Sequence, residues 1–279
     1  MSLPLSQPDA DRFVPDGSPL AVALSRTTHL AVGAHADDLE IMAWHGIRAG
    51  GASFTGVVCT DGRGAPRGGP HAELSDDALR ELRRREQRSA AESGGYGVLL
   101  QLDHRSDGLK SGGDPAVEAD LATVLTAARP RVVYTHNPLD AHTTHIAVCV
   151  ATIRAILSLP EEQRPETLLG CEVWRGLDWL DADATALPLR DEADWTAAIA
   201  RHESQIDGGR PYPKGALGRA HANAVFAESG ETGGDTPTWL ALDLTPVIQD
   251  EEDLEGLVFA HLERFATRVG RSLAPFSEE

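Results

Sequence analysis

Residues 28–40, THLAVGAHADDLE, lead from an apolar segment directly into a histidine and two adjacent aspartates. The apolar part is short and continuous, which predicts a buried strand over residues 28–34. Residues 39–50 carry apolar side chains at helical spacing and end in Gly-Gly, which predicts a helix. Ionisable side chains are rare in a protein core. The three that lie between this strand and this helix therefore indicate a functional turn.

The alternation of strand and helix continues along the chain. Four more apolar strands, each separated from the next by a helical segment, are predicted at residues 54–60, 97–102, 131–136 and 167–174. Such alternation is typical of a parallel sheet that is covered on two sides. We predict an α/β protein with a Rossmann-like, mostly parallel sheet and helices on both faces. A less regular C-terminal region is expected to pack over the edge where the strands end.

The composition limits the classes of partner. The chain has 279 residues, with 43 Asp and Glu against 25 Lys and Arg, so its formal charge is −18. A surface this acidic repels nucleic acid and anionic lipid headgroups, so we expect a small-molecule partner, and neither nucleic acid nor membrane. Three widely spaced cysteines and no long apolar segment favour a cytoplasmic protein. A homo-oligomer is compatible with the sequence.

A second polar loop follows the fourth predicted strand. Residues 135–145, THNPLDAHTTH, contain His136, Asp140, His142 and His145. Because parallel strands end at the same edge of a sheet, both loops are expected to face one crevice. Two histidines and one carboxylate are a common zinc-binding set that leaves a position open for water. A spare carboxylate beside the metal can act as a general base.

Structural explanations exist for each residue taken singly. Asp37 or Asp38 could cap the helix that begins at about Leu39, and His142 or His145 could form a hydrogen bond at a helix start. These explanations do not account for two polar clusters that follow two parallel strands. We therefore favour a metal site, and with it three segments: an irregular lead-in (1–26), an α/β metal-binding core (27–175) and a C-terminal extension packed on that core (176–279). Together they are predicted to form one domain.

At these motifs the sequence resembles the PIG-L/LmbE-like family of zinc-dependent N-acetylglucosamine deacetylases. That family shows a strand followed by A-H-P-D-D-E or a close variant, and later a strand followed by H-x-D-H at a helix start. The corresponding segments here are AHADDLE (34–40) and HTTH (142–145). Weaker matches extend the resemblance over most of residues 28–228.

The resemblance implies a role for each matching residue. His35, Asp38 and His145 would bind one Zn²⁺ per chain, although such sites also accept other divalent metals. Asp37 would be the general base that activates water. His142 would stabilise the oxyanion or protonate the leaving amine.

The resemblance also points to residues that bind the substrate. Asp107, in the loop after the third strand, would contact sugar hydroxyls. An arginine from the loop after the second strand would reach the substrate, and Arg63 and Arg67 are both candidates, with Arg67 as our choice.

The chain departs from the family pattern at two positions. Ala36 replaces the usual proline, which affects only the rigidity of the loop. Thr144 replaces the aspartate of the second motif, whose charge would orient or tune a neighbouring histidine. Either another group such as Asp140 tunes His142, or the chemistry has changed.

The function that these features imply is the removal of an N-acetyl group from an amino sugar in a small glycoconjugate, a metal-dependent amide hydrolysis. The substrate would be a small acetamido sugar. One alternative is a metal-dependent hydratase on the same fold, which Thr144 leaves open. Another is a non-catalytic sugar-binding module, against which the complete set of expected ligands argues.

Overall fold

The computed structural model describes residues 3–208, 211–227 and 236–277. These residues form one sheet whose strands are β1 (Asp11–Phe13), β2 (His29–Gly33), β3 (Phe54–Thr60), β4 (Val98–His104), β5 (Val132–His136), β6 (Thr167–Cys171), β7 (Thr185–Pro188) and β8 (Thr238–Asp243).

Helices surround the sheet. They are α1 (Leu20–Leu24), α2 (Asp38–Met42), α3 (Trp44–Gly50), α4 (Asp76–Gly94), α5 (Ser106–Lys110), α6 (Pro115–Ala128), α7 (Thr143–Leu157), α8 (Glu192–Ile199), α9 (Glu203–Asp207), α10 (Tyr212–Phe226), α11 (Thr245–Ile248) and α12 (Leu254–Leu273).

The strand order is β1-β4-β3-β2-β5-β6-β8-β7. Strands β2 to β6 are parallel to their neighbours, whereas β1 and β8 pair antiparallel with β4 and β6, and β7 pairs antiparallel with β8. The chain builds outward from β2 through β3 to β4 and then continues at β5 on the other side of β2. The order therefore reverses between β2 and β5, where α/β sheets form their ligand crevice.

Local sequence signals fix the ends of the long helices. The Ser75 hydroxyl accepts a hydrogen bond from the Ala78 N–H at the start of α4, and Gly95 ends this helix with φ 73°. Asp114 caps α6 in the same way through the Ala116 N–H. An N-terminal cap of this kind is worth about 1 kcal/mol, and glycine adopts the left-handed conformation without steric strain.

Side chains of the central strand enter two cores. Leu30 and Val32 pack in a core that includes Val148 of α7, whereas Ala31 packs on the opposite face with Ile47 of α3. Burial of each large aliphatic side chain contributes about 1.5–3 kcal/mol. The prediction of an α/β fold with a mostly parallel sheet and helices on both faces is confirmed.

Several elements differ from the predicted pattern. The helix after the first motif is divided at Ala43, with φ −121° and ψ 17°, into α2 and α3. The lead-in, residues 1–26, contains β1 and α1, so its description as irregular is wrong for these two elements. Residues 176–279 add β7 and β8 to the sheet and also form α12. Very short or edge strands have weak sequence signals because their neighbours in the sheet stabilise them. The division into segments stays a prediction.

No helix among residues 3–208, 211–227 and 236–277 is long and apolar enough to cross a membrane. Cys59, Cys149 and Cys171 are free and buried.

Gly46 allows α3 to pack closely against β5. A β-carbon at this position would lie 2.4 Å from a ring atom of Tyr134. We expect Gly46→Ala to lower the free energy of unfolding by about 1–3 kcal/mol, because the buried ring cannot move aside without strain. Urea unfolding measures this change. Gly215→Ala is the control, since nothing lies within 4 Å of its β-carbon, and it should stabilise α10 by about 0.5–1 kcal/mol. Equal stability of the two variants would contradict the close packing of α3.

Candidate functional site

The turn after β2 has an unusual conformation. Asp37 has φ 85°, in the left-handed region that non-glycine residues rarely adopt. Its N–H donates to Gln87 Oε1 at 3.1 Å, and its carboxylate makes no capping bond to α2. Asp38 Oδ2 instead accepts from the N–H of His35 at 2.7 Å. The capping explanation is therefore wrong for Asp37, and Asp38 stabilises the turn that precedes the helix.

The turn after β5 is organised by Asp140. Its buried carboxylate accepts from the N–H of His142 at 3.1 Å and from the N–H of Trp174 at 3.2 Å. The same carboxylate lies 3.3 Å from His145 Nδ1. When His145 Nδ1 carries the proton and donates a hydrogen bond to Asp140, His145 Nε2 carries a lone pair. This is the arrangement of metal-binding histidines that are oriented by a carboxylate.

Asp38, His35 and His145 converge at the crevice between β2 and β5. His145 Nε2 lies 3.5 Å from Asp38 Oδ1 and 3.3 Å from His35 Nδ1. His35 Nδ1 lies 3.3 Å from Asp38 Oδ2. The structure thus brings together the three predicted metal ligands. Two groups of three residues could each hold a metal ion: His35 with His142 and His145, and Asp38 with His136 and His145. Within each group, the three donor atoms lie within 4.8 Å of one another.

His136 also belongs to this cluster; the sequence predicts it near the crevice as part of the loop 135–145, but assigns no role to it. Its Nε2 lies 3.3 Å from Asp38 Oδ2 and accepts from the N–H of Ala34 at 2.9 Å. Its ring stacks on that of His145, with 3.8 Å between centroids. The sequence feature that could have identified His136 is its position as the last residue of β5, because a buried polar residue at a strand end lies at the crevice.

Burial and neighbouring charges shift the pKa values of Asp37 and Asp38 in opposite directions. Burial and the Asp38 carboxylate raise the pKa of Asp37 well above its ordinary value. Burial alone would also raise the pKa of Asp38, but the imidazoles of His145 and His136 outweigh it and hold this pKa well below the ordinary value. Burial and His136 lower the pKa of His145 to about 4. An anionic Asp38 suits a metal ligand, and the higher pKa of Asp37 suits a base.

His142 lies at the open side of the cluster. Its ring centroid is 5.0 Å from that of His35 and 4.6 Å from that of His145. The exposed ring of Trp174 is 5.9 Å away. Burial and His35 lower the pKa of His142. A small ligand at the cluster would therefore meet His142 and an aromatic surface.

The two predicted substrate-binding residues do not contact the cluster among the described residues. Asp107 is exposed in α5 and accepts from Arg105 Nε at 3.3 Å. Arg67 donates to the Arg63 carbonyl at 3.2 Å and forms an ion pair with Asp76. The sequence could not place these side chains, because the paths of the loops that carry them depend on tertiary packing.

A buried network holds the first motif from behind. Glu40 accepts from Tyr96 Oη at 2.7 Å and from Gln87 Nε2 at 3.1 Å, and lies 3.1 Å from His202 Nε2. Glu40 and Gln87 are fully buried. Burial lowers the pKa of His202, but the hydrogen bond to Glu40 outweighs it and raises this pKa overall. His202 therefore joins the C-terminal region to the first motif through its contact with Glu40.

Two backbone carbonyls of the same turn are also bound. Trp195 Nε1 donates to the Glu40 carbonyl at 2.9 Å, and Gln205 Nε2 donates to the Ala36 carbonyl. Gln205 thus joins the C-terminal region to the turn after β2.

Comparison with known proteins identifies the central region. Residues 30–156 match the model of the PIG-L family, described as GlcNAc-PI de-N-acetylase. The resemblance seen in the motifs is thus confirmed, and this region is a PIG-L domain. No curated protein matches the chain in sequence.

Solved structures with a similar fold include two deacetylases and a hydratase. The N,N'-diacetylchitobiose deacetylase of Pyrococcus horikoshii, complexed with its inhibitor MPG, is 18% identical, with 79% of this chain and 85% of that chain covered and a TM-score of 0.61. The 4-carboxy-2-hydroxymuconate hydratase of Pseudomonas putida KT2440 is 19% identical, with 78% and 95% covered and a TM-score of 0.54. The zinc-inhibited form of teicoplanin deacetylase is 16% identical, with 78% and 98% covered and a TM-score of 0.51. At these identities the similarity establishes the fold.

Removal of the Glu40 carboxylate should destabilise the protein strongly. We expect Glu40→Ala to lower the free energy of unfolding by about 3–5 kcal/mol, because it leaves His202, Tyr96 and Gln87 buried without their partner. Urea unfolding at pH 7 tests this. Glu118→Ala is the control, since it removes a partly exposed ion pair with Arg154 and should change stability by less than about 1 kcal/mol. A loss below 1 kcal/mol for Glu40→Ala would contradict the role of the network.

Proposed function

We propose that this chain, which carries a PIG-L domain at residues 30–156, is a zinc-dependent hydrolase that removes an N-acetyl group from an amino sugar. One observation carries the proposal: the Asp38 carboxylate and the imidazoles of His35 and His145 converge within 3.5 Å at the crevice of the sheet. A second carboxylate, Asp37, is the neighbour of Asp38 in sequence and makes no capping bond.

The donor set fits a divalent metal ion. Asp140 orients His145 so that Nε2 presents a lone pair toward Asp38 and His35. Two imidazoles with one carboxylate are a common zinc set. A Zn²⁺ ion held by His35, Asp38 and His145 would polarise the amide carbonyl and lower the pKa of a water molecule.

Asp37 is assigned the role of the general base that removes a proton from water. Its raised pKa makes it a stronger base than an ordinary carboxylate. It removes a proton from the attacking water, whose oxygen then bonds to the amide carbon. When the C–N bond breaks, the electron pair leaves with nitrogen, and this nitrogen takes up the proton that Asp37 removed from the water. The products are a free amine and acetate.

His142 and Trp174 are assigned to the substrate side. His142 lies next to His35 and His145, where its N–H can donate to the developing oxyanion or serve the leaving nitrogen. Trp174 offers an exposed aromatic face beside His142 that suits the apolar face of a sugar ring. Asp107 and Arg67 stay candidates for contacts to an extended substrate. The cytoplasmic location also stays a prediction, and the three free, buried cysteines are consistent with it.

The decisive experiment measures metal content together with acetate release. Purified protein should contain about one metal ion per chain and release acetate from N-acetylglucosamine or N,N'-diacetylchitobiose, and a chelator should abolish the release. We expect Asp38→Ala to lose both metal and activity. Asp37→Asn should keep the metal and lose on the order of 10²–10⁴-fold in kcat, because only the base is removed.

Asp194→Asn is the control for both variants, since this residue is exposed and pairs only weakly with Arg48 at 3.4 Å. It should keep both metal and activity. Full activity in metal-bearing Asp37→Asn would refute the assignment of the base. Stoichiometric metal without acetate from any acetamido sugar would refute the deacetylase and favour a hydratase. Protein that binds sugar without any metal would favour the binding module.

Truncation of Trp174 tests where the sugar binds. The backbone N–H of Trp174, not its ring, donates to Asp140, so Trp174→Ala leaves that bond in place. We expect KM to rise about 10-fold with kcat nearly unchanged, because stacking is lost equally in the ground and transition states. Trp174→Phe retains an aromatic face and should retain most of the affinity. An unchanged KM in Trp174→Ala would exclude this residue from the sugar site.

A further inference from the structure

The C-terminal helix α12 contacts the body of the protein in its first half and extends away from it toward its C-terminal end. In its first half Leu257 and His261 are buried, whereas Phe259 is 52% exposed. Arg264 and Arg268 still bind Asp183 and Asp181. Beyond Arg268 the described residues of the helix make no contact with the body that would bury a side chain.

The exposed side of α12 carries a continuous apolar seam. Its members are Phe259, Leu262, Ala266, Val269 and Leu273 of α12, and Phe276 of the 3₁₀ turn Ala274–Phe276 that follows; the large ones are 36–82% exposed. Within α12 the spacing of three, four, three and four residues is that of a coiled coil. The buried residues Leu257 and His261 lie on a different face of α12, whereas Leu262, at the edge of the seam, also lines a cavity with Ile146 and Trp179 of the body.

The seam has the same pattern in both directions. Phe259 and Phe276, Leu262 and Leu273, and Ala266 and Val269 are pairs that lie at equal distances from the middle of the seam. In an isologous dimer, residue i of one copy contacts residue j of the other, and j contacts i. Antiparallel pairing would thus place phenylalanine against phenylalanine and leucine against leucine, with the two small residues at the crossing point.

We propose that α12 mediates a symmetric dimer in which its seam packs antiparallel against the seam of a second copy of this chain. The proposal concerns assembly and does not depend on the function assigned to the metal cluster.

The area of the seam is sufficient for a small dimer interface. With ordinary side-chain areas, its exposed apolar surface amounts to roughly 500 Å² per copy, or about 1,000 Å² for a pair, at the lower limit of specific interfaces. A seam of this area is at the upper end of what a monomer leaves exposed. An isolated helical end of two or three turns is also marginal in water, so pairing would stabilise residues 269–276.

Charge favours the antiparallel arrangement. Asp253 and Glu255 lie at the start of α12, whereas Arg271 lies near its end; Arg268 already pairs with Asp181. Antiparallel pairing brings acidic starts toward basic ends, and parallel pairing would bring like charges together. The whole chain carries a charge of −18, so two copies repel each other at long range. Added salt screens this repulsion and should tighten the dimer.

Sedimentation velocity of the full-length, metal-loaded protein at 1–100 μM tests the proposal. We expect a dimer whose dissociation constant falls between low salt and ~0.5 M NaCl. Val269→Glu should raise the dissociation constant on the order of 100-fold, because it buries carboxylates in an apolar seam. Val22→Glu is the control, since Val22 is 51% exposed on α1, away from the seam, and it should not change the dimer. Circular dichroism of each variant verifies that the fold is kept.

The orientation is tested with cysteine pairs. The native cysteines are buried, so a disulfide can form between introduced residues alone. Leu262→Cys mixed with Leu273→Cys should cross-link on oxidation, and each single variant alone should not. Cross-linking of each single variant with itself would overturn the antiparallel arrangement. A monomer at 100 μM, or a dimer that Val269→Glu leaves intact, would overturn the proposal. So would a monomer that binds zwitterionic lipid vesicles through the seam.

Discussion

The reversal of strand order between β2 and β5 is the constraint on which the site depends. Because the chain continues on opposite sides of this point, the loops after the two strands diverge and leave a crevice between them. His35 and His145, 110 residues apart in sequence, meet there at 3.3 Å. The Asp38 carboxylate can contact imidazoles from both loops only because the two strand ends are adjacent.

The second requirement is a turn that holds an unfavourable conformation. Asp37 adopts a positive φ, and such a residue persists only where surrounding contacts fix it. Gln87 from α4, Trp195 from α8 and Gln205 from α9 each bind this turn or the start of α2. The segment after residue 176 therefore helps to shape the cluster of His35, Asp38 and His145, which favours the prediction of one domain. The proposed catalytic geometry is supported by residues that lie far from it in sequence.

The sequence predicted the parts of the molecule that follow from local pattern. The continuous apolar segments predicted the strands of the parallel core. The polar residues at two strand ends predicted the crevice that contains His35, Asp38 and His145. It did not predict β8 or α12, although both are apolar at regular spacing, because the segments around them are polar and irregular. His136 received no role because a histidine at the end of a strand has no distinctive spacing. The positions of Asp107 and Arg67 depend on loop packing, which local pattern does not encode.

Thr144, which replaces the expected aspartate, bears on how His142 works. The Asp140 carboxylate, the candidate substitute, binds the backbone N–H of His142 and the ring of His145, not the ring of His142. Among the described residues His142 Nδ1 has no hydrogen-bond partner, and burial and His35 lower the pKa of this ring. A neutral imidazole is a weak acid but a competent hydrogen-bond donor. Of the two roles that the sequence left open, the geometry therefore favours donation to the oxyanion over protonation of the leaving amine.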